Sequence, residues 1–222
     1  SSLSSSAMVY TVVSGPATIV SGELVISGTG VVTYKINNSG DNTYATAPEV
    51  TKELEITQGS TTLSSFSISD KTYGDASFSI PIPTSTRTGT FVYSSNNPAV
   101  ASIVGGNIQV NTPGTVTITA TQPSTSNWTT GIITTTFEVL KATPVFTGST
   151  ALSKLTIDSD FNYPLTSSVP SNPSVYRSSD PSVATVNSST GLISIQGIGT
   201  AEIRVTQEAT DNFNAGSKTL NL

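Results

Sequence analysis

Two stretches of this chain are near copies of one another. Ser94-Ser95-Asn96-Asn97-Pro98-Ala99-Val100-Ala101-Ser102-Ile103 reappears as Ser178-Ser179-Asp180-Pro181-Ser182-Val183-Ala184-Thr185-Val186, each just after a tyrosine. Tyr10, Tyr93 and Tyr176 stand 83 residues apart, and Lys71 and Phe78 return at the same offset as Lys154 and Phe161. Gly30, Gly114 and Gly199 each open a stretch in which apolar residues alternate with polar ones, and a loop aromatic follows at Tyr44, Trp128 and Phe213. A period this long is that of a whole small domain, because common solenoid and blade units run ~20 to 50 residues. The repeat therefore divides the chain into residues 1–57, 58–140 and 141–222.

Each unit is small enough that its neighbours or a partner contribute to its stability. Ser and Thr make up about a third of the residues, and Val, Ile, Ala and Leu alternate with them. That is the composition of half-buried strands, so the fold class is all-β. Within residues 58–140, strands are expected over 61–68, 76–80, 90–93, 100–104, 107–110, 115–121 and 133–139, with prolines and Gly105-Gly106 as punctuation. Seven short strands with turns every ten or so residues predict a two-sheet β-sandwich. Residues 141–222 repeat the order. The joint Leu140-Lys141-Ala142-Thr143-Pro144 has no flexible Gly/Ser run, which favours a semi-rigid array.

The first unit carries only the later part of the pattern. It matches from Tyr10 onward and lacks the first two strands, and the serine run Ser1 to Ala7 is too short and polar to replace them. Half a sandwich leaves a sheet edge and an apolar face to be covered. A chain that begins at serine rather than methionine is expected to be a processed or partial segment, so upstream sequence ranks first as the cover. A strand donated by another chain, or the surface of a neighbouring protein, ranks after it.

Composition excludes several function classes. The chain has no cysteine and no histidine, which removes disulfides, thiolate nucleophiles, His-dependent triads and the usual zinc ligands. Its net charge of −5 comes without a basic cluster, so nothing is available to neutralise phosphates and no nucleic-acid role follows. The longest apolar runs are strand length, which argues against direct membrane insertion.

The stretches Ser178 to Val186, Thr190-Gly191-Leu192-Ile193 and Gly197-Ile198-Gly199-Thr200-Ala201-Glu202-Ile203 resemble the bacterial immunoglobulin-like group 2 domain, the module of intimin- and invasin-type adhesins. The resemblance covers the second and third units and part of the first. Lys71-Thr72-Tyr73-Gly74-Asp75-Ala76-Ser77-Phe78 and Asn127-Trp128 are similar to tandem arrays in surface proteins of bacteria, phages and large viruses; Leu155-Thr156-Ile157 departs from that pattern. It implies tandem immunoglobulin-like β-sandwich domains acting as a spacer or display module on a virion or cell surface. The implied partners are other subunits of such an assembly and host surface glycans. It names no ligand.

The candidate sites are few. The periodic aromatics Tyr93, Tyr176, Trp128 and Phe213 are expected to fill cores or sheet ends. Tyr73 and Tyr163 lack that periodicity and are the candidate surface ligand contacts. Asp158, Asp160 and Asp180 lack the spacing of a calcium loop and read as turn residues, so no metal or cofactor is expected. Asp70 and Asp75 beside Lys71 suggest an ordinary surface ion pair rather than a covalent Lys–Asn crosslink. Asn37, Asn127 and Asn187 each begin an acceptor triplet for N-glycosylation. The remaining acidic residues are scattered over turns and strand exteriors and form no paired-carboxylate constellation, so no enzyme is predicted.

Overall fold

The computed structural model describes residues 4–222. In the first repeat the strands are β1 (Val9–Ser14), β2 (Ala17–Val20), β3 (Glu23–Ile26), β4 (Gly30–Asn37) and β5 (Val50–Ile56). The second holds β6 (Leu63–Ser64), β7 (Lys71–Thr72), β8 (Phe78–Ser79), β9 (Thr84–Ser85), β10 (Val92–Ser95), β11 (Ala101–Val104), β12 (Asn107–Val110), β13 (Gly114–Gln122) and β14 (Gly131–Leu140). The third holds β15 (Phe146–Thr147), β16 (Phe161–Asn162), β17 (Thr166–Ser167), β18 (Ser174–Ser178), β19 (Ala184–Val186), β20 (Leu192–Ile195), β21 (Glu202–Gln207) and β22 (Gly216–Asn221). The fold is all-β, its strands gathered into several small sheets.

Alternation decides which face is buried. Along β13, Val116, Ile118 and Ala120 are fully buried while the intervening threonines keep solvent contact. On β14, Phe137 and Val139 are buried and Ile132 is 64% exposed. Side chains of a strand point alternately to opposite faces, so one sheet face becomes the core wall and the other stays polar. The turn between β11 and β12 has φ of 58° at Gly105 and 81° at Gly106, and Val104 stands opposite Asn107. Such a two-residue turn needs positive φ at both centres, which glycine adopts without a Cβ clash.

The expected first strand over 61–68 is reduced to β6. Ser65 takes a φ of 57°, a left-handed conformation that ends the extended run after Ser64. The expected 76–80 strand is likewise cut to β8, ahead of Pro81 and Pro83.

The chain forms two compact units. One comprises residues 4–66, 82–94 and 119–134, the other residues 67–81, 95–118 and 135–222. The middle repeat contributes segments to both. In the second unit, the third repeat builds sheets β18-β21-β22 and β16-β20-β19. Ala184 and Ile193 of one sheet share a buried cluster with Ile203, Val205 and Leu220 of the other. Phe146, Leu152, Phe161, Tyr163 and Leu165, all early in the repeat, complete this cluster. In the first unit, the first repeat builds only β1-β4-β5 and the hairpin β2-β3. Val32 is its one fully buried large side chain among the described residues.

Candidate functional site

The side chains that recur with the repeat are used internally. Lys71 Nζ lies 4.5 Å from the centre of the Phe78 ring, and Lys154 Nζ lies 4.5 Å from that of Phe161. Each pair is a cation–π contact that covers a ring with a lysine stem. Gln122 and Gln207 are both 1% exposed and hold the end of the early segment: Ser85 Oγ donates to Gln122 Oε1 at 2.6 Å, and Ser167 Oγ donates to Gln207 Oε1 at 2.7 Å. A buried amide satisfied this way fixes chain geometry rather than awaiting a ligand. The loop aromatics also recur in structure. Gly59 pairs with Trp128 and Ala142 with Phe213 in parallel bridges, so the first residues of the second and third repeats are pinned to the last loop of the same repeat.

The candidates drawn from sequence fall into three groups. The two tyrosines are not free surface platforms. Tyr163 is 8% exposed, and its ring lies 5.2 Å from that of Tyr176. Burial, and then the Tyr176 phenol, push its pKa up to about 12. It stands where Ile80, also 8% exposed, stands one period earlier, so a core position has been filled by a larger side chain. Tyr73 is half-buried and meets Phe213 edge-on with centroids 5.3 Å apart. It belongs to the joint between the second and third repeats.

The carboxylates stabilise turns. Asp75 accepts from Thr72 N–H at 2.9 Å, and Asp158 accepts from Leu155 N–H at 2.9 Å, one period later. Asp70 accepts from the Glu138 N–H at 2.8 Å. Asp180 accepts from the hydroxyl and the N–H of Ser182, which holds its carboxyl pKa below the usual carboxylate value. Lys71 is committed to Phe78, so neither an Asp70 nor an Asp75 ion pair with it forms. No group of three or more metal-ligating side chains exists among the described residues. Asn37, Asn127 and Asn187 are all exposed; Asn187 Oδ1 also accepts from Ser189 and Thr190 N–H, which shapes its turn.

The surface that differs from the rest lies on the first repeat. Tyr10, Ile19, Gly22, Leu24 and Tyr34 line a cleft of about 230 Å³. Tyr10 is 42% exposed, Ile26 54% and Leu54 39%. The loop after β4 is tied to the chain's serine run, a feature sequence reading missed. Asn38 Nδ2 donates to Ser6 O at 2.8 Å, and Ser5 N–H and Oγ–H donate to Asp41 Oδ2 at 2.6 and 2.8 Å. Ser6 Oγ–H also donates to Gly40 O. The Ser5 N–H, the Thr43 N–H and the Ser5 hydroxyl hold the Asp41 carboxyl well below the usual carboxylate range. The signal was present: Asn38, Gln122 and Gln207 each precede their loop aromatic by six residues. Residues 1–3 of the serine run lie outside the described residues.

Residues 165–210 match the intimin immunoglobulin-like domain. That span runs from β17 to just beyond β21 and contains the motifs Ser178 to Val186 and Gly197 to Ile203, on which the resemblance to bacterial immunoglobulin-like domains rests. No curated protein matches the chain. Among solved structures, mouse cadherin-23 EC22-24 is similar at 16% identity and a TM-score of 0.32, covering 96% of this chain and 84% of that one. Drosophila N-cadherin EC1-3 gives 9% identity and a TM-score of 0.31 over 96% and 87%. A SusE-like surface-located polysaccharide-binding protein of Bacteroides thetaiotaomicron gives 9% and 0.27 over 96% and 54%. Similarity at that level carries no argument about this chain.

Proposed function

We propose that this chain is a non-enzymatic structural and display protein: three tandem intimin-type immunoglobulin-like domains, with boundaries near 57/58 and 140/141, forming a stalk or fibre on a virion or bacterial cell surface and supporting attachment. The observation that carries this reading is the internal use of the recurring side chains. The cation–π pairs, the buried glutamines and the bridged loop aromatics are the same in the second and third repeats, and each is turned to packing. A protein selected for a catalytic or ligand site concentrates distinctive groups in one place; repeated spacing needs only repeated stability. Subunits of the same surface assembly are the partners this reading requires.

A second reading, a carbohydrate- or receptor-binding adhesin, is favoured by one observation. The aromatic side chains exposed by two-fifths or more, Tyr10 at 42% and Tyr44 at 44%, belong to the first repeat. A glycan array probed with the full chain separates the two. The spacer reading expects no specific retention. Specific retention that Tyr10→Ser or Tyr44→Ser abolishes establishes the adhesin instead.

A further inference from the structure

The internal repeat shows what covers each position of the first repeat's open face in its complete counterparts. β3 corresponds to β12 and β20. Those two strands pair on their outer side with the early strands β8 and β16, with Ile108 opposite Phe78 and Ile193 opposite Phe161. β3 pairs with β2 alone among the described strands. β5 corresponds to β14, which takes β7 as a parallel partner with Val139 opposite Lys71. β5 pairs with β4 alone among the described strands. The consequence is measurable at matching residues: Leu54 is 39% exposed where Phe137 is 2%, and Leu24 is half-buried where Ile108 and Ile193 are fully buried. An open sheet edge beside an apolar cleft is a template for strand addition.

The same comparison specifies the occupant. Besides its near neighbour Phe91 at 6.1 Å, the ring that meets Tyr93 in the second repeat is Phe66, at 6.3 Å; in the third the ring that meets Tyr176 is Tyr163, at 5.2 Å. Both come from the early segment. Both early segments carry a lysine, a phenylalanine seven residues on, and a buried residue two further: Lys71, Phe78, Ile80 and Lys154, Phe161, Tyr163. Along the open edges stand Glu23, Glu53 and Glu55 with Lys52, a net negative rim that complements the lysine of such a segment. Ser6 is held by the buried Asn38 amide, as the ends of the early segments are held by Gln122 and Gln207.

We propose that the cleft of Tyr10, Ile19, Leu24 and Tyr34 is completed by a segment of the same polypeptide, joined ahead of the serine run, that lays two short strands against β3 and β5 and seats an aromatic ring on Tyr10. Residues 58–83 of this chain, fused directly ahead of Ser1, restore the 83-residue register and serve as the probe. Amide hydrogen exchange is read at residues 31–36, with residues 115–120 as the internal control. The fusion is expected to slow exchange at 31–36 by more than about tenfold relative to the 222-residue chain, to the rate of the control. The same fusion with Phe66→Ser, Phe78→Ser and Ile80→Ser in the added copy is expected to leave it fast. Three results overturn the proposal: no slowing in the fusion while the control residues stay protected; equal slowing by the free 58–83 peptide in trans, which assigns the face to a separate chain; or concentration-dependent slowing in the unfused chain, which assigns it to a second copy.

Discussion

Gly106 and Gly191 occupy the same place in successive repeats, with φ of 81° and 73°, yet their surroundings differ. A Cβ on Gly106 meets no heavy atom within 4 Å, whereas one on Gly191 falls 2.8 Å from the Tyr176 ring. Gly106→Ala is therefore expected to cost only the left-handed conformation, about 1 kcal/mol, and Gly191→Ala about 2 to 4 kcal/mol, by chemical denaturation. Equal losses would mean that the Tyr176 ring yields freely. Tyr163 gives a second test at this scale. An unfolded tyrosine titrates near 10, and the folded one is pushed up to about 12. The unfolded chain then loses its proton first as pH rises, so stability is intact below pH 10 and falls between 10 and 12, by roughly 1–2 kcal/mol for the third repeat. Tyr163→Phe should flatten that part of the pH profile; an unchanged slope would place the ionisation elsewhere. Sequence reading sent Tyr163 to the surface because it broke the aromatic period. The register assigns it to the core, since Ile80 and Tyr163 are the same position.

Elements were legible where alternation was long. β13, β14 and β4 lie where the patterns after Gly114, Ile133 and Gly30 place them, because a long run with one apolar face has one way to bury it. The early strands were overestimated. Two-residue strands such as β6 and β8 are set by the core residues beside them and by a positive φ at Ser65, neither of which composition reveals. The joint between the second and third repeats was legible as proline-bearing and short, but not in its contacts. Tyr73 N–H donates to Leu140 O at 2.8 Å, and its ring meets Phe213. Tyr73→Ala keeps the backbone bond and removes the ring contact. It is expected to leave the melting of the third repeat within about 1 kcal/mol of wild type while loosening the joint. Residual dipolar couplings for the two repeats should then report diverging alignment tensors; identical tensors in wild type and variant would show that the ring does not set the joint.

At the scale of the whole molecule, the first repeat is the exception that composition alone could not interpret. Counting strands against Tyr10, Tyr93 and Tyr176 revealed what is missing, while the serine run's attachment to Asn38 and Asp41 depends on hydrogen bonds that low-complexity sequence does not announce. The central claim is that the 83-residue period is the period of independent folding. Single-molecule pulling of the full chain tests it most directly. Two discrete unfolding events are predicted, each releasing about 83 residues or roughly 280 Å of contour at ~3.4 Å per residue, with the first repeat yielding earlier at low force. One cooperative event for the whole chain, or increments that fit no multiple of the period, would contradict the account.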